Sequence, residues 1–180
     1  MNTAVLVSIH GEYTGKIFAG MKSLEIRKNA PKITPPFKCY VYETGNGVVG
    51  EFTCPAVEQI SPIVWTNGRP PMYPIEDEFL NNCCLSYQEL ADYMRGRTIH
   101  AWKILAPVKY DKPKKVTDFA LAGICRYNKK GGKCVYNLHC ARAGWPNDGH
   151  GHERCGRWLD RAPQSWCYVE EQKEAPLNAL

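Results

Sequence analysis

The sequence predicts an α+β domain built around a small, largely antiparallel β-barrel. Several short segments alternate apolar and polar residues as strands do, whereas two other segments place apolar residues at helical spacing. These segments occur in the order strand, helix, strands, helix, strands, which is typical of the α+β class. The chain has 180 residues, of which 44% are hydrophobic, so it can bury a core without relying on crosslinks.

The first third of the chain contains a strand, a helix, a second strand and a hairpin. Residues 3–9 are apolar and predict a buried strand. Residues 11–20 place apolar side chains, among them Tyr13, at helical spacing. Residues 23–28 alternate and predict another strand. The Gly-Asn-Gly sequence at 45–47 lies between two β-prone segments and predicts a hairpin turn, because glycine and asparagine adopt the positive φ angles that such turns need.

The middle of the chain predicts a loop followed by a well-capped helix. Residues 61–84 are rich in proline and are interpreted as a loop that carries a short helix. Residues 85–97 predict a helix, since Ser86 and Glu89 have the spacing of a capping box and Tyr93 belongs to its apolar stripe. Two further strands are predicted at 98–110 and 164–171.

A group of charged residues follows the first predicted helix. Gly20, Lys22, Glu25 and Arg27 form the pattern G-x-K-x-x-E-x-R, in which Glu25 and Arg27 share the polar face of the predicted strand. A lysine, a carboxylate and an arginine that converge on one cleft could bind a phosphate or a base edge. A buried lysine could also act as a base or nucleophile. The alternative is an exposed ladder of charges on a surface strand.

This pattern and its surroundings resemble the ASCH domains of bacteria and phages. The strand that ends at Ser8, the signature, the hairpin with VVGEF, the helix SYQELADYMRGR, the strand HAWKI and the closing PQSWCYVEE follow in the order of that family. The resemblance implies a PUA-like β-barrel with a basic cleft that binds or processes RNA. It implies nucleic-acid contacts from Ser8, Lys22, Glu25, Arg27 and Lys28.

The resemblance also raises the alternative of an enzyme. One bacterial ASCH family hydrolyses N4-acetylcytidine with a lysine, a threonine and a glutamate; its lysine matches Lys22, but its threonine falls on Glu25. A carboxylate at that position places an anion where negative charge would develop. Ribonuclease activity also occurs in the family, and Lys22 could serve there. RNA or nucleotide binding is therefore the main prediction, and the alternatives are a hydrolase that uses Lys22 and Glu25 or a phage-type protein-interaction regulator.

Three cysteines before the last predicted strand have the spacing of metal ligands. Cys125, Cys134 and Cys140 form C-x8-C-x5-C, which resembles the first three ligands of a CCCH zinc finger. The fourth ligand of that pattern would fall on Gly144, so another residue must complete the four ligands that structural zinc requires. Cys155 is the expected fourth ligand, and His152 and His150 are the alternatives.

Disulfide bonds and unrelated core thiols are the alternatives to zinc. The sequence shows neither a secretion signal nor a membrane span, so we expect a cytoplasmic protein, and disulfides are rare in the cytoplasm. The segment 125–157 also has few large aliphatic residues against which thiols could pack. The remaining cysteines are interpreted as structural: Cys39, Cys54 and Cys167 as buried strand residues, and Cys83 and Cys84 as part of the helical region.

The predicted organisation is an ASCH barrel with a zinc-binding insertion. The barrel comprises residues 1–122 and 160–171. The insertion comprises residues 123–159, and a C-terminal tail comprises residues 172–180. Residues 126–161 contain eight Lys or Arg and three Asp or Glu, a net charge of +5, and Tyr127 offers a surface for base stacking. The expected partner is RNA or a nucleotide, with Zn²⁺ as cofactor; a protein partner is a further alternative, and the oligomeric state is not defined by the sequence.

Overall fold

A computed structural model describes residues 3–64, 71–122, 159 and 161–172. No helix in these ranges is long and apolar enough to cross a membrane. The regular elements are β1 (Thr3–Ile9), α1 (Gly11–Phe18), β2 (Leu24–Arg27), β3 (Phe37–Glu43), β4 (Gly47–Cys54), β5 (Val57–Ile60), α2 (Asp77–Cys83), α3 (Tyr87–Met94), β6 (Ile99–Lys103), β7 (Leu105–Lys114) and β8 (Trp166–Glu170), with a 3-10 turn at Val116–Asp118.

The strands form two sheets rather than a closed barrel. One sheet has the order β7-β4-β3-β1-β8 and the other the order β2-β6-β5. β1 and β3 run parallel, and the other strand pairs are antiparallel. The α+β class is therefore confirmed, but the described strands close no barrel by hydrogen bonding. Trp102 of β6 packs among core residues of β1, β3 and β4, so the two sheets face each other across a shared core.

The long strand predicted at 98–110 is in fact two strands in different sheets. β6 ends at Lys103 and β7 begins at Leu105. Between them, the Ile104 N–H donates to the Ser23 carbonyl over 2.9 Å, and Ala106 has a φ of +48°. The chain crosses from one sheet to the other at this bend. Because β-prone residues continue through it, the sequence pattern does not reveal the break.

The predicted helices are confirmed, and their ends follow local rules. α1 begins at Gly11 and is followed by Gly20, whose φ of +72° allows the chain to turn away. In α3 the Ser86 hydroxyl accepts from the Glu89 N–H, and the Glu89 carboxylate accepts from the Ser86 N–H over 2.8 Å, which is the predicted capping box. The short helix predicted in the proline-rich loop is α2, whereas β5 was not predicted.

The described cysteines are structural, as predicted. Cys39 and Cys54 are fully buried and Cys167 is half-buried; burial raises the pKa of Cys54 and of Cys167 to about 11. These thiols are therefore protonated at neutral pH and pack as small apolar groups. Cys83 is buried in the last turn of α2, and Cys84 caps that helix with a φ of +55°.

The predicted insertion lies between β7 and β8 in the sequence, and the described residues at its two ends are held by backbone hydrogen bonds. The Ala122 N–H donates to the Tyr168 carbonyl of β8 over 3.1 Å, and the Leu159 N–H donates over 2.9 Å to the carbonyl of Phe119, which follows the 3-10 turn. The two ends are thus attached at positions close to each other. The predicted ligands and the stacking residue of the insertion lie outside the described residues: Cys125, Tyr127, Cys134, Cys140, Cys155 and the alternatives His150 and His152.

Gly50 is required where β4 lies against Phe18 of α1 and pairs with β7. A Cβ atom built at Gly50 would overlap the Val108 carbonyl oxygen and lie 2.5 Å from Cζ of Phe18. We expect Gly50→Ala to lower the free energy of unfolding by about 1–3 kcal/mol, because overpacking at a rigid contact forces the backbone to shift. Urea denaturation would measure this change.

Gly15 supplies the matched control for that substitution. It lies within α1, and a Cβ atom there would meet nothing within 4 Å. Gly15→Ala should therefore raise the free energy of unfolding by about 0.5–1 kcal/mol, since alanine loses less backbone entropy than glycine in a helix. A Gly50→Ala protein as stable as the wild type would contradict the close approach of β4 and β7.

Candidate functional site

Three charged residues of the predicted motif are brought together in the interior. Lys22, Glu25 and Arg27 are 3%, 6% and 9% exposed, and we refer to them as the charged cluster. Lys22 lies in the turn that follows α1, and the other two residues lie on β2, all of whose residues are buried. The alternative of an exposed ladder on a surface strand is therefore wrong.

Glu25 is shared by both cations of the charged cluster. Its Oε1 lies 2.9 Å from Nη2 of Arg27, and its Oε2 lies 3.5 Å from Nζ of Lys22. Nζ of Lys22 also donates to the Cys83 carbonyl over 2.7 Å, at the end of α2. One carboxylate thus faces two buried cations, so the charged cluster has a formal net charge of +1.

Most of the donors of Arg27 are already used by the protein. Besides Glu25, Nη2 donates to the Ser8 carbonyl over 2.5 Å, and Nη1 lies 3.4 Å from the Ser165 hydroxyl. Nε is buried and has no hydrogen-bond partner among the described residues. The Ser8 hydroxyl donates to the Pro163 carbonyl over 2.6 Å. Both N–H groups of Nη2 are therefore used within the protein, whereas Nε and the second N–H of Nη1 are the donors left for a ligand.

Two tyrosines, Tyr13 and Tyr93, flank the charged cluster. The sequence identifies both only as parts of the apolar faces of their helices. Nζ of Lys22 lies 5.0 Å from the ring centre of Tyr13, and Nζ of Lys28 lies 4.7 Å from that of Tyr93. Burial raises the pKa of both phenols. Lys28 is exposed, so it lies where a polyanion could reach it. The spacing within α1 and α3 carries no signal that would have identified these tyrosines.

β6 places two more nitrogen-bearing side chains beside the charged cluster. His100 pairs directly with Arg27, and Trp102 pairs with Glu25. Residues paired across antiparallel strands lie on the same face of a sheet, so all four side chains share the face that points toward the five-stranded sheet. Nδ1 of His100 and Nε1 of Trp102 are buried and, within the described ranges, have no hydrogen-bond partner.

Two surface depressions lie elsewhere on the described part of the molecule. One is lined by residues of β3, β4 and the preceding loop, including Phe37 and Lys38. The other is lined by α2 and the ends of β5, β6 and β7, including Phe79 and Ile104. Neither includes a member of the charged cluster. The low exposure of its three members shows that the charged cluster is enclosed by its neighbours.

Comparisons with known proteins identify the fold. No family model matches the sequence, and no curated protein matches it significantly. The solved structures include an ASCH protein from Zymomonas mobilis, which at 16% identity has a TM-score of 0.54 over 93% of this chain and 88% of that one. Two variants of that protein are also similar, each with a TM-score of 0.55, 16% identity and coverage of 93% of this chain. The match covers 91% of the tyrosine-to-phenylalanine variant and 89% of the serine-to-alanine variant. The chain has the ASCH fold. The resemblance noted in the sequence is therefore confirmed at the level of the fold.

Within this ASCH fold, the charged cluster should contribute strongly to stability. We expect Glu25→Gln to lower the free energy of unfolding by about 3 kcal/mol, because it leaves two buried cations without their common counter-charge. Chemical denaturation monitored by circular dichroism would measure the loss.

Glu12→Gln is the control, since Glu12 is an exposed partner of Lys16 at 3.1 Å. Exposed pairs of this kind contribute little to stability, so we expect no measurable change. If the two variants lose equal stability, the ion pairs of the charged cluster do not hold the structure together.

Proposed function

We propose that the protein binds RNA or a nucleotide, and that the charged cluster receives a negatively charged group of that ligand. The observation that carries the proposal is the charge balance of the cluster: Lys22 and Arg27 share a single carboxylate, and all three side chains are buried. A buried excess of positive charge is unfavourable unless an anion lies near it. An anionic ligand would supply that counter-charge.

The surroundings of the charged cluster also suit a nucleic acid. The protein has a net charge of +5, which favours a polyanionic partner. Lys16 and Lys28 lie beside Tyr13 and Tyr93, with Nζ 5.2 Å and 4.7 Å from the respective ring centres. Cations next to aromatic rings are a common means of holding single-stranded nucleic acid, because the rings stack on bases while the cations contact phosphates. The ASCH fold is consistent with this proposal.

The proposal predicts opposite effects for two substitutions. Lys28→Ala should weaken binding to all RNA sequences about equally and lower the salt dependence by roughly one unit, because it removes one phosphate contact. Glu25→Gln should instead tighten binding, because an anion has left the site. Fluorescence anisotropy with short single-stranded RNA, titrated at several salt concentrations, would measure both effects.

Lys112→Ala is the matched control for these measurements. Lys112 is exposed on β7, which is separated from β1 by β4 and β3, roughly 14 Å at the usual strand spacing. It should bind like the wild type. A wild type that binds no RNA, or Lys28→Ala and Glu25→Gln variants that both bind like it, would contradict the proposal. Product formation that Lys22→Ala abolishes would favour the hydrolase alternative instead.

We also propose that the insertion binds one zinc ion through Cys125, Cys134, Cys140 and Cys155. The support is their eight-and-five spacing in the sequence and the neighbouring anchors at Ala122 and Leu159, which fit a closed loop. The described residues contain no group of three potential metal ligands. A zinc ion would supply folding energy to a segment that is too polar to form a core of its own.

Elemental analysis of the purified protein tests this proposal. We expect one zinc ion per chain, because four protein ligands complete a structural site. Cys155→Ser should greatly weaken zinc binding, whereas His152→Ala should bind zinc like the wild type. Chelation should leave the spectroscopic signals of the two sheets in place. The absence of zinc, or disulfide bonds among these cysteines in mass spectrometry, would refute it.

A further inference from the structure

We propose that the charged cluster, together with His100, recognises a terminal phosphate monoester, such as the 5′- or 3′-phosphate at the end of an RNA or on a mononucleotide. This inference rests on the proposed function and specifies which chemical group of the ligand enters the site. It predicts that an internal phosphodiester of the same RNA binds there much less well. Enclosure, unpaired nitrogen atoms and charge support it independently.

Enclosure favours the end of a chain over its middle. The three members of the charged cluster are at least nine-tenths buried, and the segment with Pro163 and Ser165 closes over the end of β1 through hydrogen bonds to Ser8. An internal phosphodiester continues into a ribose on both sides, so it needs an open groove with two exits. A terminal phosphate enters end-on and needs a single opening, which suits side chains that are so little exposed.

Unpaired nitrogen atoms lie where such a group would enter. Nε of Arg27 and Nδ1 of His100 are buried without partners among the described residues, and the two residues lie directly opposite each other on β2 and β6. Nε1 of Trp102 is a further unpaired donor on the same face. A buried donor without an acceptor costs free energy, so Nε of Arg27 and Nε1 of Trp102 favour a ligand oxygen, as does Nδ1 of His100 in the tautomer that carries its proton there. A terminal phosphate offers three such oxygens.

The charge of the site favours an anionic group. Lys22 and Arg27 against Glu25 give a formal charge of +1. A phosphate monoester carries a charge of about −1.5 to −2 at neutral pH, whereas an internal phosphodiester carries about −1. The buried positive charge therefore attracts the monoester more strongly, and the resulting ionic hydrogen bonds are of the stronger class.

The first experiment compares matched ligands on the wild-type protein. The probes are one RNA oligonucleotide with a 5′-hydroxyl, a 5′-phosphate or a 3′-phosphate, together with adenosine, its 5′- and 3′-monophosphates and inorganic phosphate. We expect one terminal phosphate to tighten binding by about ten- to hundredfold over the hydroxyl form. Equal binding of all the oligonucleotides within about twofold would overturn the inference and leave the proposed function standing. Binding of none of the probes would overturn both.

The other outcomes of this comparison are also decisive. Inorganic phosphate that binds as tightly as the phosphorylated oligonucleotide would overturn the inference, because the nucleotide would then contribute nothing. A monophosphate that binds while adenosine does not would support it, and the comparison of the 5′ and 3′ forms would identify the end that is recognised. Each result is obtained with the unaltered protein and does not depend on the folding of a variant.

The second experiment tests the part of His100. At a fixed pH we expect His100→Gln to weaken binding of the phosphorylated oligonucleotide by about tenfold and to leave binding of the hydroxyl form unchanged, because one contact to the terminal phosphate is lost. Lys112→Ala should bind both oligonucleotides like the wild type. Circular dichroism would show that His100→Gln is folded. A His100→Gln protein that keeps the wild-type preference for the phosphorylated end would overturn the assignment of His100, and the comparison of phosphorylated with hydroxyl ends would still decide the remainder.

Discussion

The carboxylate of Glu25, shared between Lys22 and Arg27, holds together parts of the molecule that are distant in sequence. Through Lys22 it joins the turn after α1 to the end of α2, because Nζ also donates to the Cys83 carbonyl. Through Arg27 it joins the three-stranded sheet to the Ser8 carbonyl at the end of β1. The two sheets and one helix thus meet at a single buried carboxylate. Hydrogen bonds to charged groups are stronger than neutral ones, so this junction adds to the apolar core that the two sheets share.

The sharing of one carboxylate between two cations also leaves the charged cluster with an excess of positive charge. In an interior of low dielectric, charges act on one another more strongly than at the surface, so an excess of one positive charge has consequences there that it would not have in water. Lys22 and Arg27 use most of their donors to hold the fold, and the atoms left for a ligand are those without a partner, such as Nε of Arg27. Stability and binding therefore draw on the same side chains. An anion bound at this position would neutralise the positive charge that the fold leaves in excess.

The edge strand β8 connects this site to the anchors of the insertion. Leu121 forms a bridge to Val169 near one end of β8, whereas Ser165, beside Arg27, precedes the other end. Four residues of extended chain separate these positions, a distance of about 13 Å. The insertion, with its net positive charge, is thus attached to the strand whose opposite end adjoins the charged cluster.

The sequence by itself determined the local elements: the buried strand at residues 3–9, the helix after it, the hairpin and the capping box of α3. These depend on periodicity, glycine conformation and short-range hydrogen bonds, all of which operate within a few residues. It also identified Lys22, Glu25 and Arg27 as one group, since they occur within six residues. The division into two sheets at Ile104, the burial of the charged cluster and the placement of His100 opposite Arg27 were decided only by the tertiary structure. Strand pairing brings together residues more than seventy positions apart, and no local pattern specifies which of them will face each other.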